Sequence, residues 1–199
     1  FQQNPLIRSA AGALLRESCE LWIQQTTDFV RECCHAEQRL NAAVLKIYGL
    51  EGSVSSDVPI EQITLTVNPA YRYGGKLSEE EQWTRFRQDT MQELVSYAVG
   101  CMMGRYSLDE PGLIYAHSGN VGFDPSRYAT FPADPDGILP LTDTEWFEDD
   151  AANRVVEFMG VAWDKRHLEE NLTFLADNLS PNKNESSRET IRRYLCDSF

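Results

Sequence analysis

Four consecutive residues carry the most suggestive chemistry in this chain: Asn68, Pro69, Ala70 and Tyr71, which follow the short β-branched run ITLTV at 63–67. In enzymes that methylate the amino group of a base, a loop of this type accepts hydrogen bonds from that amino group through a side-chain amide and a backbone carbonyl. The aromatic ring of the loop stacks on the flipped base. The pattern therefore raises the hypothesis of an autonomous base methyltransferase with its active site at 68–71.

That hypothesis requires a second element, a glycine-rich cofactor loop of the dinucleotide-fold kind. The residues before Asn68 are instead typical of a helix and a polar loop, and Ala70 stands where the motif has a second proline. We therefore predict a turn at 68–71. No catalytic or cofactor-binding residue is predicted in this chain, and no cofactor.

Metal and thiol chemistry are not indicated. The five cysteines show no paired spacing, and the three histidines are scattered and lie outside any CxxC-type frame. An odd number of cysteines without a secretory signal is typical of reduced thiols in the cytoplasm. The residues concerned are Cys19, Cys33, Cys34, Cys101 and Cys196, with His35, His117 and His167.

The formal net charge of −13 makes the chain a poor DNA-binding surface on its own, because phosphate neutralisation by basic residues supplies most of the affinity for duplex DNA. Five basic residues nevertheless surround the least acidic segment and are candidate phosphate contacts. They are Arg72, Lys76, Arg85, Arg87 and Arg105. Ordinary solvated charge, or pairing with the glutamates at 79–81, is the other interpretation.

An acidic segment at 128–153 contains seven carboxylates and no basic residue: Asp134, Asp136, Asp143, Glu145, Glu148, Asp149 and Asp150. Such a segment suits a metal site, a partner site or a solvated acidic face. Thr142 and Glu145 have capping-box spacing, and predict the start of a helix that carries Trp146, Phe147, Val155, Phe158 and Met159.

The element expected to organise the fold is a helix at 78–106. It begins with a capping box of Ser78 and Glu81, and it is apolar on all sides from Leu94 to Met103, which is typical of a buried core helix. Glycine in a helix costs about 1 kcal/mol relative to alanine. We therefore expect Gly100 and Gly104 to mark the close approach of another backbone.

Residues 6–48 contain no proline, and their apolar stripe alternates steps of four and three, as in a heptad repeat: Leu15, Cys19, Trp22, Thr26, Phe29, Cys33, Ala36, Leu40, Ala43 and Ile47. Either one long helix that spaces two parts of a larger protein or a helical hairpin, broken near 26–28, satisfies this pattern. Gly49 is expected to end the helix. Two further helices are predicted at 167–179 and 188–197, the second after a capping box of Ser186 and Glu189.

The fold class predicted is mainly α, with a long N-terminal helix or helical hairpin, a buried central helix, long irregular loops and little or no sheet. We expect a connector arm at 1–50 and a helical spacer domain at 51–199. No apolar run reaches the length of a membrane span, and no membrane association is expected. Because the chain begins without methionine or a signal peptide, we expect it to be a piece of a longer cytoplasmic protein.

Four strings in the sequence resemble one family: ITLTVNPAYRYGG, DTMQELVSYAVGCMMGRYSLDEPGLIYA, GILPLTDTEWFEDDAANRVVEF and ESSRETIRRYL. The family is PglX, the large adenine-specific DNA methyltransferases of BREX phage-defence systems, and the similarity runs from about Leu40 to the carboxyl end. Leu40-Asn41 and Tyr48-Gly49-Leu50 also resemble, loosely, the end of a connector helix in related restriction–modification enzymes.

The resemblance implies a parent enzyme that transfers a methyl group from S-adenosylmethionine to the 6-amino group of adenine. Its catalytic and cofactor loops lie in a separate domain, so this chain would be a non-catalytic spacer between that domain and the target-recognition region. Its partners would be the rest of the parent chain, DNA through the parent, and other BREX proteins. The alternative is a protein-interaction or regulatory module whose acidic face docks a partner of the defence system.

Overall fold

The computed structural model describes residues 3–8, 13–117 and 121–198, which form α-helices joined by loops. In chain order the helices are α1 (Pro5–Arg8), α2 (Leu15–Tyr48), α3 (Pro69–Tyr73), α4 (Glu79–Met102), α5 (Ala151–Ala162), α6 (Leu168–Asp177) and α7 (Ser187–Ser198). Single 3₁₀ turns lie at Ile60–Gln62, Pro125–Arg127 and Lys165–His167. The described ranges contain no β-strand, only an isolated bridge between Glu51 and Val54. The predicted mainly-α class is confirmed.

The helix α2 is continuous over 34 residues, so of the two alternatives the single long helix is confirmed and the hairpin with a break near 26–28 is not formed. The hydroxyl of Thr27 does not interrupt the helix, because it donates to the carbonyl of Ile23 at 2.8 Å within the same helix. The predicted stop at Gly49 is confirmed. Gly49 has φ +65°, and the amide of Leu50 donates to the carbonyl of Leu45 at 2.9 Å, as in a Schellman motif.

Contacts group the described residues into two compact units. Unit 1 is drawn from Phe1–Glu20 and Gln88–Phe199, and unit 2 is Leu21–Arg87. The first turns of α2 therefore belong to unit 1 and the rest of that helix to unit 2. The division into a connector arm at 1–50 and a spacer domain at 51–199 stays a prediction.

The second half of α4 is the centre of the core of unit 1, as predicted. Its apolar side chains Met91, Leu94, Val95, Ala98, Cys101 and Met102 are each no more than 1% exposed. Around them, the ring of Phe158 on α5 makes edge-to-face contacts with Tyr97 at 6.3 Å and with Phe131 at 5.4 Å between centroids. The helix ends at Met102 instead of 106, because the amide of Arg105 turns back to the carbonyl of Gly100 at 2.8 Å.

The two glycines of this region do not mark the approach of another backbone, which corrects the prediction. A Cβ at Gly100 would lie 2.5 Å from the ring of Tyr106, so a side chain occupies the space. Gly104 has φ +69°, the left-handed conformation that closes the carboxyl end of α4. Its carbonyl accepts from the hydroxyl of Tyr128 at 2.6 Å.

The helices α5, α6 and α7 pack on one another in unit 1. The capping box predicted at Thr142 was wrong, because α5 begins after Asp150 instead. Asp150 is fully buried and accepts from the amide of Asn153 at 2.8 Å, while Trp146 lies in the preceding loop and is 75% exposed. The capping boxes at Ser78 and Ser186 are confirmed, since their amides bond to Glu81 at 2.8 Å and to Glu189 at 2.7 Å.

The amino end of α2 is held by side chains from far along the sequence. The amide of Leu15 donates to the side-chain oxygen of Asn171 on α6 at 2.8 Å, and the indole of Trp163 donates to the hydroxyl of Ser18 at 3.0 Å. All four residues are buried. A helix amide that would otherwise lack a partner is thereby satisfied inside the core of unit 1.

The apolar stripe of α2 divides into two parts. Leu15, Cys19 and Thr26 are buried, but Phe29 is 50% exposed. Beyond it, the exposed fraction of Leu40 is 64% and that of Ile47 is 79%. The later part of the stripe therefore does not pack inward, as the hairpin alternative would require. Unit 2 is packed instead by a small cluster of Val30, Cys34 and Ile63, with Cys33, Val58, Leu65 and Val67 at its edge.

Candidate functional site

Unit 2 contains a cleft of about 430 Å³ that is bordered by the residues singled out for their chemistry. The cleft lies between α2, the 3₁₀ turn at Ile60–Gln62, α3 and the first turns of α4. Its lining is Thr27, Val30, Arg31, Ile60, Glu61, Asn68, Pro69, Ala70, Gly74, Gly75, Glu79, Gln82 and Trp83. The sequence motif at 68–71 thus borders a cleft. Whether it can bind a ligand depends on whether its side chains already have hydrogen-bond partners within the fold.

The amide of Asn68 is fully engaged in holding its own loop. Its Nδ2 donates to the carbonyl of Ile60 at 2.7 Å and to that of Ile63 at 2.9 Å, and its Oδ1 accepts from the amide of Ala70 at 3.2 Å. The residue is 1% exposed. Asn68 is therefore the N-cap of α3, with Pro69 at the first helical position, which favours proline. The predicted turn is thus the start of a short helix.

This geometry does not suit recognition of a base amino group. Such recognition needs an amide oxygen that is open to the substrate, whereas the oxygen of Asn68 faces the backbone of its own helix. Tyr71, the residue that would stack on the base, is 47% exposed and does not line the cleft. The arrangement fixes the entry to α3, and supplies no group placed for methyl transfer.

The sequence analysis did not single out the two cleft residues best suited to hold a ligand, Trp83 and Arg31. Trp83 is half-buried, with its ring edge-on to Phe86 at 5.6 Å. Arg31 approaches Asp28 to within 3.9 Å, and Glu61 and Glu79 also border the cleft. A flat ring beside charges of both signs suits contact with a peptide or a polar ligand better than proton transfer. Sequence spacing does not reveal this group of residues, because they come from three separate segments: α2, the 3₁₀ turn at Ile60–Gln62 and α4.

Four of the five candidate phosphate contacts lie in unit 2, and Arg105 lies in unit 1. Arg72 and Lys76 are exposed on either side of Gly74-Gly75, which border the cleft. The guanidinium of Arg72 also lies 5.3 Å from the centre of the Tyr73 ring. Arg85 and Arg87 are two positions apart on α4 and so point to different sides of that helix. The structure therefore brings Arg72 and Lys76 to one edge, without gathering all five.

The acidic segment at 128–153 serves partly as internal structure in unit 1. Asp134 accepts from the amides of Asp136, Gly137 and Ile138, and although burial raises its pKa, these hydrogen bonds leave the pKa below the ordinary value. Glu145 accepts from the side-chain amide of Asn153 at 3.0 Å. Asp143, Glu148 and Asp149 remain exposed. Among the described residues, no three or more His, Cys, Asp or Glu side chains are grouped to hold a metal ion.

In the described part of the chain, every helix is too short or too polar to cross a bilayer. No protein-family model matches the chain.

The chain is similar in sequence to segments of two adenine-specific methyltransferases, which confirms the expected resemblance. It is 49% identical over 172 residues to adenine-specific methyltransferase BrxX of Escherichia coli O9:H4 (strain HS), a match that covers 82% of this chain. It is 32% identical over 184 residues to adenine-specific methyltransferase PglX of Lacticaseibacillus casei (strain Zhang), covering 89% of this chain. The chain spans only 14% and 13% of the lengths of these relatives.

Proposed function

We propose that this chain is a non-catalytic helical spacer of an adenine-specific DNA methyltransferase of a BREX phage-defence system. It links the methyltransferase domain to the target-recognition region. The supporting observation is the hydrogen bonding of Asn68, whose amide is used within the fold at the one place where the sequence imitates a catalytic loop. In this proposal the rest of the parent enzyme binds S-adenosylmethionine and supplies the methyl-transfer chemistry.

A spacer must hold two regions at a fixed separation, and α2 has the properties for that role. It is one helix of 34 residues, or about 50 Å at about 1.5 Å per residue. Its amino end is fixed by the hydrogen bonds of Leu15 and Ser18 to the core of unit 1. The partners in this role are the rest of the parent chain, and DNA through the parent. Arg72 and Lys76 add phosphate contacts, which position a protein without reading sequence.

The proposal is tested first by calorimetric titration of the chain with S-adenosylmethionine. We expect no binding heat, because no open cofactor cradle accompanies the motif at 68–71. Saturable binding with one cofactor per chain would contradict the non-catalytic role and restore Asn68 as a candidate active-site residue.

The phosphate contacts are tested in the parent methyltransferase with Lys76→Gln. Each lost contact to duplex DNA lowers the slope of log affinity against log salt by about 0.9, so the variant should bind more weakly, with a slope reduced by about that amount. Lys183→Gln is the matched control, because Lys183 is also exposed but lies in the acidic unit 1. An unchanged slope in the first variant would remove Lys76 from the DNA-contacting set.

A second candidate function is a docking module for a basic partner of the same defence system. The observation in its favour is the loop before α5, where Trp146 is 75% and Phe147 is 50% exposed beside the exposed carboxylates of Glu148 and Asp149. Aromatic rings next to carboxylates suit arginine and lysine side chains. Loss of partner binding in Trp146→Ala, with DNA binding by the parent unchanged, would favour this function over the spacer.

A further inference from the structure

Two neighbouring aromatic side chains of unit 1 lie on its surface instead of in its core. Trp146 is 75% exposed and Phe147 is 50% exposed, whereas the same unit buries Phe131 and Phe158 to 1% or less. Both belong to residues 143–149, which we call the aromatic loop. Tryptophan is enriched among the few residues that supply most of the binding energy of protein interfaces. The aromatic loop is therefore examined as a contact surface.

The backbone of the aromatic loop is held in place by the helices behind it. The side-chain amide of Asn153 on α5 donates to the carbonyls of Phe147 and Glu148, at 3.4 and 3.3 Å. The guanidinium of Arg192 on α7 donates to the carbonyl of Thr142, directly before the loop, at 3.1 Å. Because the backbone is already ordered, a partner that binds the side chains of this loop pays little for ordering it further.

The orientation of the Trp146 ring leaves its two faces for a partner. The indole N–H donates to the hydroxyl of Thr144, so the one polar atom of the side chain is used within the loop. In the part of the chain that the structure describes, no ring or guanidinium group stacks on the Trp146 ring. The face of an aromatic ring attracts cations, and the indole face attracts them most strongly. The open faces therefore favour a cationic group.

Three carboxylates of the same loop can pair with such a cation. Asp143, Glu148 and Asp149 are exposed, and within the described ranges their carboxylates have no hydrogen-bond or ion-pair partner. A guanidinium group fits this surface better than an ammonium group does, because it is planar, stacks on aromatic rings and can donate two hydrogen bonds to one carboxylate. The aromatic loop therefore suits an arginine side chain.

The basic residues that border the aromatic loop do not supply this cation. No basic residue occurs between Arg127 and Arg154. Arg154 is paired with Glu157, and its side chain is 17% exposed. Arg192 is paired with Asp150, and its side chain is 11% exposed. Since both guanidinium groups already have acidic partners, the carboxylates of the aromatic loop keep their negative charge towards solvent.

The length of the relatives indicates where the arginine comes from. This chain spans only 14% and 13% of BrxX and PglX, so most of a parent of that length lies outside residues 1–199. Segments tethered in the same polypeptide can reach an effective concentration in about the millimolar range, at which a weak surface contact still forms. A second copy of this chain is disfavoured, because its net charge of −13 opposes an acidic surface.

From these observations we propose that the aromatic loop is the docking site of an arginine-bearing segment of the parent methyltransferase that lies outside residues 1–199. The guanidinium group stacks on Trp146 and pairs with the loop carboxylates. The contact holds the neighbouring region of the parent against unit 1. This inference deepens the spacer function and rests on it, because it takes the rest of the parent chain as the partner.

The test uses the full-length parent enzyme with photoreactive benzoylphenylalanine in place of Phe147. After irradiation, mass spectrometry identifies the linked peptides. We expect a cross-link within one polypeptide, to a segment outside residues 1–199 that contains arginine. Replacing that arginine by glutamine should lower the yield of this cross-link at least threefold. Irradiation is done on the parent alone and again with duplex DNA and the other purified proteins of the defence system.

Variants of the aromatic loop separate ring stacking from charge. Trp146→Leu should lower the cross-link yield at least threefold, whereas Trp146→Phe keeps a ring face and should retain at least half of it. Glu148→Gln with Asp149→Asn should also lower the yield at least threefold. Glu17→Gln with Glu20→Gln is the matched control and should leave the yield unchanged, because it removes two exposed carboxylates elsewhere in unit 1.

Several results would overturn the proposal. One is the absence of an intramolecular cross-link, or a link to a segment without arginine. Another is a link to a second copy of the parent, to DNA, or to another protein of the defence system, the last of which would favour the docking module instead. Equal effects of the two carboxylate pairs would also contradict it. Calorimetry with S-adenosylmethionine tests the non-catalytic role separately, so failure of this contact is distinguishable from failure of the proposed function.

Discussion

The fully buried carboxylate of Asp150 accepts a hydrogen bond from the guanidinium of Arg192, which lies 42 residues further along the chain. The same carboxylate caps α5 through the amide of Asn153, and Arg192 also donates to the carbonyl of Thr142 at 3.1 Å. One ion pair thus joins the start of α5, the side of α7 and the loop that precedes α5. Such a pair is costly to break from one side, because the remaining charge stays buried.

The first prediction follows from this pair. Asp150→Ala should lower the free energy of unfolding by about 3–5 kcal/mol, since it removes the cap and leaves the cation of Arg192 without its partner. The double variant Asp150→Ala with Arg192→Met should lose less than the sum of the two single variants. Urea denaturation provides the measurement. Strictly additive losses, or a loss below about 1 kcal/mol for Asp150→Ala, would show that the pair contributes little.

The second prediction concerns Asn68. Asn68→Ala removes the donor for two carbonyls, those of Ile60 and Ile63, and should lower stability by about 1–3 kcal/mol for the buried groups left unpaired. Asn41→Ala, at an exposed position of α2, is the control and should change stability by no more than about 0.5 kcal/mol. Thermal unfolding of both variants decides the matter, and equal midpoints would mean that the Asn68 amide has no structural role.

The third prediction concerns a buried hydroxyl. Thr26 is 2% exposed, and its Oγ1 has no hydrogen-bond partner among the described residues. Replacing an unpaired buried hydroxyl by a methyl group of the same shape removes a desolvation penalty, so Thr26→Val should raise stability by about 1 kcal/mol. The control is the neighbouring Thr27→Val, which breaks a 2.8 Å bond to Ile23 and should not stabilise. Greater stabilisation by Thr27→Val than by Thr26→Val in urea would contradict this reading.

The fourth prediction is a pH dependence. The guanidinium of Arg193 and then the amide of Asn182 lower the pKa of Glu185 from 4.5 to about 2. Because the folded-state pKa lies below the unfolded one, the stability from this carboxylate is present above about pH 4.5 and is lost as the pH falls towards 2. Carbon-detected NMR titration should show the low midpoint. Arg193→Gln should move that midpoint up, whereas Arg188→Gln, which removes the partner of Glu169, should leave it in place.

The fifth prediction concerns thiol reactivity. Burial raises the pKa of Cys101 to about 12, and Cys19 and Cys34 are buried as well, whereas Cys196 is exposed. Because the thiolate is the reactive form, iodoacetamide should label Cys196 first and the buried three only after unfolding. Mass spectrometry of the labelled peptides gives the order. Early labelling of Cys101 in the native chain would show that the core of unit 1 opens readily.

Local signals in the sequence predicted much of the fold. The apolar run from Leu94 to Met103 gave the buried helix α4, and the boxes at Ser78 and Ser186 gave two helix starts, because each signal involves residues within one or two turns. The helix start predicted at Thr142 was wrong because α5 is capped by Asp150 instead, and Asp150 is stabilised by Arg192 on another helix. A contact between residues that distant in sequence leaves no local pattern.

The candidate site was less accessible to sequence reasoning, for the same reason. The motif at Asn68 was found and its non-catalytic interpretation was reached from the absence of a glycine-rich loop. The hydrogen bonds of Asn68 to the carbonyls of Ile60 and Ile63 could not be predicted, because they depend on how the loop before Asn68 folds back. The heptad pattern of α2 was also recognised in the sequence. The same pattern occurs in a helix that packs against the core of its own chain and in a helix whose apolar side stays exposed. The exposed fractions of Leu40 and Ile47 show that the later part of the stripe does not pack in the core of unit 2.

The hydrogen bond between Leu15 and Asn171 joins residues 156 positions apart. During translation it can therefore form only after most of the chain has been synthesised. At about 5–20 residues per second, the amide of Leu15 is synthesised roughly 8–30 s before its acceptor. When the last residue of unit 2, Arg87, has been added to the chain, the core of unit 1 still lacks α5, α6 and α7. Unit 2 can therefore pack on the ribosome while the first turns of α2 are still uncapped and exposed to chaperones.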